Sequence, residues 1–496
     1  MHTARSTRPL DRRLRTRVRR AWSRSSRIVA TCCAAGSVLL INTFIITLPA
    51  AGQTGAATAV LTLPQLLDSV AARHPLIAAA SARVRAARAG RASAGTLGNP
   101  ILAFQVENAP LPGRAAPPME RESMATATLP LEFLYQRGPR VRRAEAEVRA
   151  AEAEAAVQRQ HVGLDAVGTF YRVALAQVAF DAARDLAGWL DSVVAYNRVR
   201  AREGVAAEAD LIRSELERDR AAADATMQEA DLARARAELA TFLGDPRVAR
   251  DLSVAAGDAP LPLPDGPLML VAFATGARSA APGAAARPAA SDAPRIALGN
   301  RAMDGRPEVR AARERLAAAG ASIAAERTML VRQLGATVGT KWSVGTTSLI
   351  AGVSLPFPLF DRNRGEVARA AAEREAAAFE LAAEERAAYA QIAGAYEAAR
   401  LLTERAELLA RGGSGGYLAR ADEARRIALG AYREGAVPLI QVLDAARAWG
   451  EARLAYYRTL YGQHESVLEL LAAQGIDLTA ALPALAPRAA PGGVNR

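Results

Sequence analysis

The side chains that could do chemistry in this sequence are few and scattered. Histidines stand at His2, His74, His161 and His464, and the only cysteines are Cys32 and Cys33. A zinc site needs about four such ligands brought together from short spacings, so no Cys/His metal centre is expected. Two adjacent cysteines also exclude a disulfide scaffold. His74 precedes Pro75 and reads as a helix-boundary residue, while His161 and His464 read as helix-surface or contact residues. Gly412-Gly413-Ser414-Gly415-Gly416 has the glycine of a phosphate loop without its Gly-Lys-Ser/Thr ending, and reads as a helix break or bulge. Glu145, Glu147, Glu152 and Glu154, with Arg142, Arg143 and Arg149, form a solvated, salt-bridged helix face. No nucleophile, base or ligand set is clustered, so neither an enzyme nor a bound cofactor is expected. What remains is a pair of carboxylates, Asp210 and Asp444, each a few residues beyond a glycine (Gly204, Gly435) that suits a tight helix–helix turn.

The elements around these carboxylates come in two similar series. Arg202-Glu203-Gly204 recurs as Arg433-Glu434-Gly435, 231 residues on, and Gly244 recurs at the same offset as Gly475. Leu129-Pro130-Leu131 is answered by Leu355-Pro356-Phe357, and Gln136-Arg137-Gly138 by Asn363-Arg364-Gly365. The spacing predicts an internal duplication, each copy reading helix, two strands, then very long helices. A first helix is expected over Leu63 to Ala94. Residues 140–245 and 359–437 hold no proline, and a helix of some 65 residues would reach roughly 100 Å. Val141, Val148, Val157, Leu164, Val167, Tyr171 and Val178 recur at mixed three-, four- and seven-residue spacings, the pattern of helix packed on helix.

The strands read as Pro100 to Asn108, Met124 to Phe133, Leu334 to Trp342 and Ser348 to Phe357. Each is about ten residues with period-two alternation, as in transmembrane β-strands. Four strands cannot close a barrel, and an open edge in lipid leaves backbone groups unsatisfied. Either these are soluble hairpins or several chains share one barrel, and three chains would supply twelve strands.

The net charge of +12 belongs mostly to the first fifty residues, where ten arginines face the single acid Asp11. The rest of the chain is nearly balanced, which argues against a nucleic-acid partner. Arg5 to Arg27, the uncharged apolar run Ile28 to Leu48 and the small residues up to Ala59 have the order of a secretory signal peptide, although a run of that length can also anchor a chain in a membrane. The expected organisation is a leader (1–59), a first repeat (60–250), a Pro/Ala-rich linker or insert (251–304), a second repeat (305–476) and a flexible C-terminal tail (477–496).

Over about 62–475 the sequence resembles the TolC family of outer-membrane efflux channels. The residues that carry the likeness are Leu61-Thr62-Leu63 with Leu66 and Leu67, His74-Pro75, Gly98-Asn99-Pro100 through Glu107-Asn108, Leu355 through Gly365, and Tyr432-Arg433-Glu434-Gly435 followed by Leu443-Asp444-Ala445. The Asn-Pro…Glu-Asn and Pro-Phe-Pro-Leu-Phe-Asp-Arg-Asn-Arg-Gly stretches are most similar to the heavy-metal-efflux (CzcC-like) branch. The resemblance implies a mainly α fold with a small β part: a homotrimer with a twelve-stranded barrel in outer-membrane lipid and a long α-helical barrel crossing the periplasm of a Gram-negative cell. It implies a periplasmic adaptor and an inner-membrane RND-type pump as partners, and metal cations or other small toxic compounds as cargo. It also implies that helix tips at Gly204, Val205, Gly435, Ala436 and Val437 dock the adaptor, and that Asp444, Gln441 and Asp210 lie at the periplasmic gate. Three copies of each aspartate would form acidic rings that attract cations. Gln441 and Val437 depart from relatives that carry an acid and an arginine there, so a gate latched by those salt bridges is in question. The competing expectation is a membrane-anchored periplasmic coiled-coil scaffold without channel activity.

Overall fold

The computed structural model describes residues 60–109, 121–205, 207–264, 303–331, 334–343, 345–355, 357–411, 416–479 and 481. All of them fall in one compact unit, Thr58–Arg496. The leader and its cleavage site lie outside the described residues, as does most of the expected tail.

The chain opens with strand β1 (Val60–Thr62) and helix α1 (Leu63–Arg73). Gln65 starts the helix by accepting the Thr62 N–H through its side-chain carbonyl at 3.0 Å. His74 ends it in an extended conformation, since the residue before a proline is driven out of the helical region. Pro75 then heads α2 (Pro75–Ala94). The single helix expected over Leu63 to Ala94 is therefore two, divided at the His-Pro step.

Next come β2 (Ile101–Glu107), β3 (Glu122–Pro130), and the 66-residue α3 (Arg137–Arg202), about 100 Å long at 1.5 Å per residue. Helix α4 (Glu208–Leu243) returns along it. The order helix, strand, strand, long helix then occurs again: α5 (Pro307–Thr328), β5 (Gly335–Ser343), β6 (Thr346–Ser354) and α6 (Arg364–Ala410). Helix α7 (Gly416–Arg433) and α8 (Leu439–Ala473) finish the series. Helix α6 stops at Ala410 and α7 starts at Gly416. Residues 412–415 themselves are outside the described set.

Between the two series lies β4 (Ser253–Ala255), which pairs in parallel with β1 in a two-stranded sheet. Leu252 and Val254 are buried in the main core, so the start of the proline-rich stretch belongs to the packed body. Gln463 ties the following residues down: its carbonyl accepts the Leu261 N–H at 3.0 Å and its amide donates to the Leu261 carbonyl at 2.8 Å. That core gathers Leu66, Leu67 and Val70 of α1, Val167, Phe170 and Val173 of α3, Leu239 of α4, and Leu460, Val467, Leu468 and Leu470 of α8. Helix α8 is buried on most sides here, with Gln463, His464 and Ser466 enclosed along with its leucines.

His464 is sealed into this core at 1% exposure. Its Nε2 lies 2.8 Å from the Ala259 carbonyl, and its ring meets those of Tyr171 and Tyr461. Burial pushes its pKa below the ordinary value of 6.5, against weaker upward pulls from the Ala259 carbonyl and Asp258. Above pH 6.5 the ring is neutral whether the chain is folded or not, and the core is at full strength. As pH falls below that value the unfolded chain takes up a proton that the folded chain resists, so stability is lost as pH drops toward the depressed folded value. The melting midpoint should fall between pH 7 and pH 5, and His464→Gln should flatten that slope. An equally steep slope in the variant would assign the loss to other groups.

The second sheet is antiparallel with order β2-β3-β5-β6, so the hairpin of each series meets the other along the β3–β5 seam. Helix-to-strand junctions are pinned at its base. Gln136 donates to the Val331 carbonyl at 2.9 Å, and Asn363, held at φ 54°, donates to the Glu326 carbonyl at 2.8 Å. Among the described residues no helix is long and apolar enough to cross a membrane.

Candidate functional site: two helix tips and a two-faced sheet

The tips are built alike. Where α3 ends, Val205 N–H reaches the Arg200 carbonyl at 2.9 Å and Gly204 N–H the Ala201 carbonyl at 3.1 Å. Where α7 ends, Ala436 N–H reaches the Ala431 carbonyl at 2.8 Å and Gly435 N–H the Tyr432 carbonyl at 3.0 Å. This is the bonding of a left-handed helix stop, and Gly204 and Gly435 carry the positive φ it needs. Gly204, Val205, Gly435 and Ala436 are exposed, whereas Val437 turns inward against the apolar cluster at the tips. That cluster, with Leu190 and Val193 of α3, Ala221 of α4, Tyr432 of α7 and Leu439, Val442 and Leu443 of α8, holds the two hairpins side by side.

A polar joint accompanies it. The Tyr432 hydroxyl donates to Asn197 Oδ1 at 2.7 Å in a buried setting, and the Arg200 guanidinium sits 5.5 Å from the centroids of both Tyr196 and Tyr432. Burial pushes the Tyr432 phenol up, Arg200 draws it down, and Asp210 adds to the upward push. Asp210, in the first turn of α4, therefore sits in the electrostatic neighbourhood of Tyr432. Asp444 is largely exposed and faces Arg447 one turn along α8 at 3.6 Å. Arg447 also reaches Glu217 of α4 at 2.5 Å, linking the two hairpins by charge. Gln441 is exposed on α8, in the turn before Asp444.

Sequence reasoning singled out the two aspartates but missed Asn197, Arg200, Glu217 and Arg447. Arg447 was within reach, lying three residues after Asp444 on a helix. Glu217 and Asn197 carry no local signal, because what matters is which helix lies opposite. Along α3, α4 and α8 runs an open groove of about 330 Å³, its floor made of residues such as Leu186, Leu190, Leu443 and Leu454 and its charges those of Glu217, Arg220, Asp224, Arg447 and Glu451. Among the described residues no group of three or more His, Cys, Asp or Glu is placed to hold a metal ion.

At the other end, strand register sorts the sheet into two unlike faces. On one face the cross-strand rows are Leu102, Ala127, Val338 and Ala351, then Phe104, Ala125, Thr340 and Leu349, then Val106, Ser123, Trp342 and Thr347. Leu102, Phe104 and Leu349 are 80%, 68% and 76% exposed. The opposite face carries Thr128 bonded to Thr337 at 2.9 Å, with Thr126, Gly339, Gly352, Gln105, Lys341, Glu122 and Ser343, interrupted by Ile101, Met124 and Ile350. One face is thus mainly apolar and the other mainly polar. Among the described residues, strands β2 and β6 have no partner on their outer edges.

Residues 298–475 match the outer membrane efflux protein family. The match covers the second series and leaves the first, which has the same element order, outside it. No curated protein matches the chain in sequence. Among solved structures, the outer membrane protein VceC of Vibrio cholerae superposes with a TM-score of 0.63 at 17% identity, over 83% of this chain and 96% of that one. The Campylobacter jejuni CmeC outer membrane channel gives 0.65 at 13% identity, over 85% and 88%. The open state of the Neisseria gonorrhoeae MtrE outer membrane channel gives 0.60 at 20% identity, over 84% and 89%. The mainly helical fold with a small β part is thus the fold of TolC-family channels, as the sequence resemblance implied.

Proposed function

We propose that the protein is the outer-membrane channel of a tripartite efflux system: a homotrimeric, passive conduit in the outer membrane of a Gram-negative cell. The observation that carries this is the four-stranded sheet, mainly apolar on one face, mainly polar on the other and, among the described residues, unpaired at both outer edges. In lipid every backbone group must find a partner, and four strands cannot close. Three chains bring twelve strands, an even number that seals the barrel. The apolar face then meets outer-membrane lipid, the polar face lines the lumen, and helices reaching about 100 Å carry the duct through the periplasm. Energy comes from an inner-membrane RND-type pump through a periplasmic adaptor, gripped at the exposed tips around Gly204, Val205, Gly435 and Ala436. Metal cations or other small toxic compounds are the cargo by resemblance alone.

At the tips, Asp444, Gln441 and Asp210 line the periplasmic aperture. In this chain Arg447, which faces both Asp444 and Glu217, is the cation placed to latch it.

The deciding experiment is purification of the full chain in detergent followed by planar-bilayer recording. A detergent-dependent trimer with discrete conductance steps is expected. A monomer that stays soluble without surfactant would instead support a periplasmic scaffold. Asp444→Ala should change the single-channel conductance, and an unchanged conductance and cation preference would remove Asp444 from the aperture.

A further inference from the structure

The polar face of the sheet ends, on the side of the β5–β6 turn at Gly345, in two charged rows. Register sets Gln105, Met124, Lys341 and Ser348 across one, and in the next pairs Glu107 with Glu122 and Ser343 with Thr346. Lys341 Nζ stands 2.5 Å from Glu122 Oε2, and Ser343 Oγ donates to Glu122 Oε1 at 2.6 Å. Gln105 donates to Glu107 Oε1 at 3.0 Å on the edge strand. Lys341 is the only lysine in the 496 residues, against dozens of arginines. It sits on the water-facing side of β5, between Met124 of β3 and Ser348 of β6. Both partners of the ion pair are partly open, at 35% and 23% side-chain exposure. Pairs this accessible contribute little to stability, so holding the sheet together is a weak explanation for the placement.

We propose that Lys341 determines the charge selectivity of the outer mouth of the pore. Among the described residues, these two rows carry two carboxylates, Glu107 and Glu122, and one ammonium, Lys341. The ammonium pairs with Glu122 and also attracts Glu107, so the two rows keep one negative charge in excess. In a barrel shared by three chains, that is a mildly acidic girdle. Fixed charges lining a pore enrich counter-ions and repel co-ions. Removing the ammonium doubles the net negative charge of the girdle, and removing Glu107 cancels it. The girdle lies at the opposite end of the chain from the aspartates at the helix tips, and it rests on the channel reading above.

The test uses reversal potentials of the full-length reconstituted protein across a KCl gradient. Lys341→Gln should raise the potassium-to-chloride permeability ratio at least twofold. Glu107→Gln should lower it, and Lys341→Arg should leave it near wild type. Because the sequence offers only one lysine, an acetylating N-hydroxysuccinimide ester applied to the wild type should reproduce the Lys341→Gln shift. The same reagent on Lys341→Gln reports any effect of the amino terminus. Reversal potentials that coincide for wild type, Lys341→Gln and the acetylated protein would overturn the proposal while leaving the channel intact. A lowered trimer melting point with unchanged selectivity would do the same and assign the pair to sheet cohesion. Wild-type protein that forms no pores would instead overturn the channel reading, and this proposal with it.

Discussion

Gly339→Ala should abolish assembly in the outer membrane, although it adds one methyl group. Gly339 lies at the centre of the β3–β5 seam, directly opposite Thr126. A β-carbon there would sit 2.3 Å from the Ala125 carbonyl oxygen, 2.7 Å from Thr126 Cγ2 and 2.8 Å from Thr126 Cα. Two of those three atoms are backbone, so no rotamer change relieves the overlap, and the strands must part. Parting them splits the sheet into two hairpins, and a lone hairpin has marginal stability. In lipid the damage is greater, since each freed backbone group costs several kcal/mol. Gly352→Ala on β6 is the matched control, because a β-carbon at Gly352 meets nothing within 4 Å. Unheated electrophoresis of outer-membrane fractions should show the oligomer for wild type and Gly352→Ala, and none for Gly339→Ala. Normal oligomer from Gly339→Ala would mean that the seam tolerates a wider spacing than this register implies.

Gly475→Ala is expected to be the most damaging change in the helical body. Gly475 and Gly244 occupy matching places, each just after the last helix of its series and each with positive φ, 75° and 74°. Their surroundings differ. Nothing lies within 4 Å of a β-carbon at Gly244, whereas at Gly475 it would fall 2.5 Å from the Gly305 carbonyl carbon and 2.8 Å from the Arg306 nitrogen. Both substitutions incur the cost of a left-handed alanine, about 1–3 kcal/mol. Only Gly475→Ala adds a backbone collision, roughly another 1–3 kcal/mol or more. It would also disturb Arg306, which is buried and donates to the Ala388 carbonyl and the Gln391 side chain. In thermal unfolding followed by circular dichroism, Gly475→Ala should lose at least twice the midpoint that Gly244→Ala loses. Equal losses would show that the contact with Gly305 relaxes freely and that only backbone strain matters.

The Lys341 experiment and the two glycine pairs probe different levels of the same arrangement. The glycines decide whether a sheet and a body exist at all, and the lysine decides what charge the sheet presents once it is formed. The His464 slope reads the core midway between them, where the segment from Gly257 to Leu263 is strapped against α8.

Much of this was legible in one dimension. Proline-free stretches, alanine and mixed three- and four-residue spacings foretold the long helices, because helix formation is decided largely by neighbours one turn away. Period-two alternation located each of the four strands to within a few residues, and glycine marked the turns at 204 and 435. The sequence also held the count that matters most: four amphipathic strands are too few to close by themselves.

Tertiary structure decided the rest. Which strand faces which could not be read from alternation, since a one-residue slip exchanges the two faces. Only the register placed Lys341 beside Glu122, across more than two hundred residues of chain. The same holds for Asn197 under Tyr432, Glu217 beside Arg447 and Gly305 against Gly475. Local sequence fixes the conformation of a segment because its hydrogen bonds close within a few residues. Side-chain partners across helices and strands depend on how those segments dock, which is a property of the packed whole.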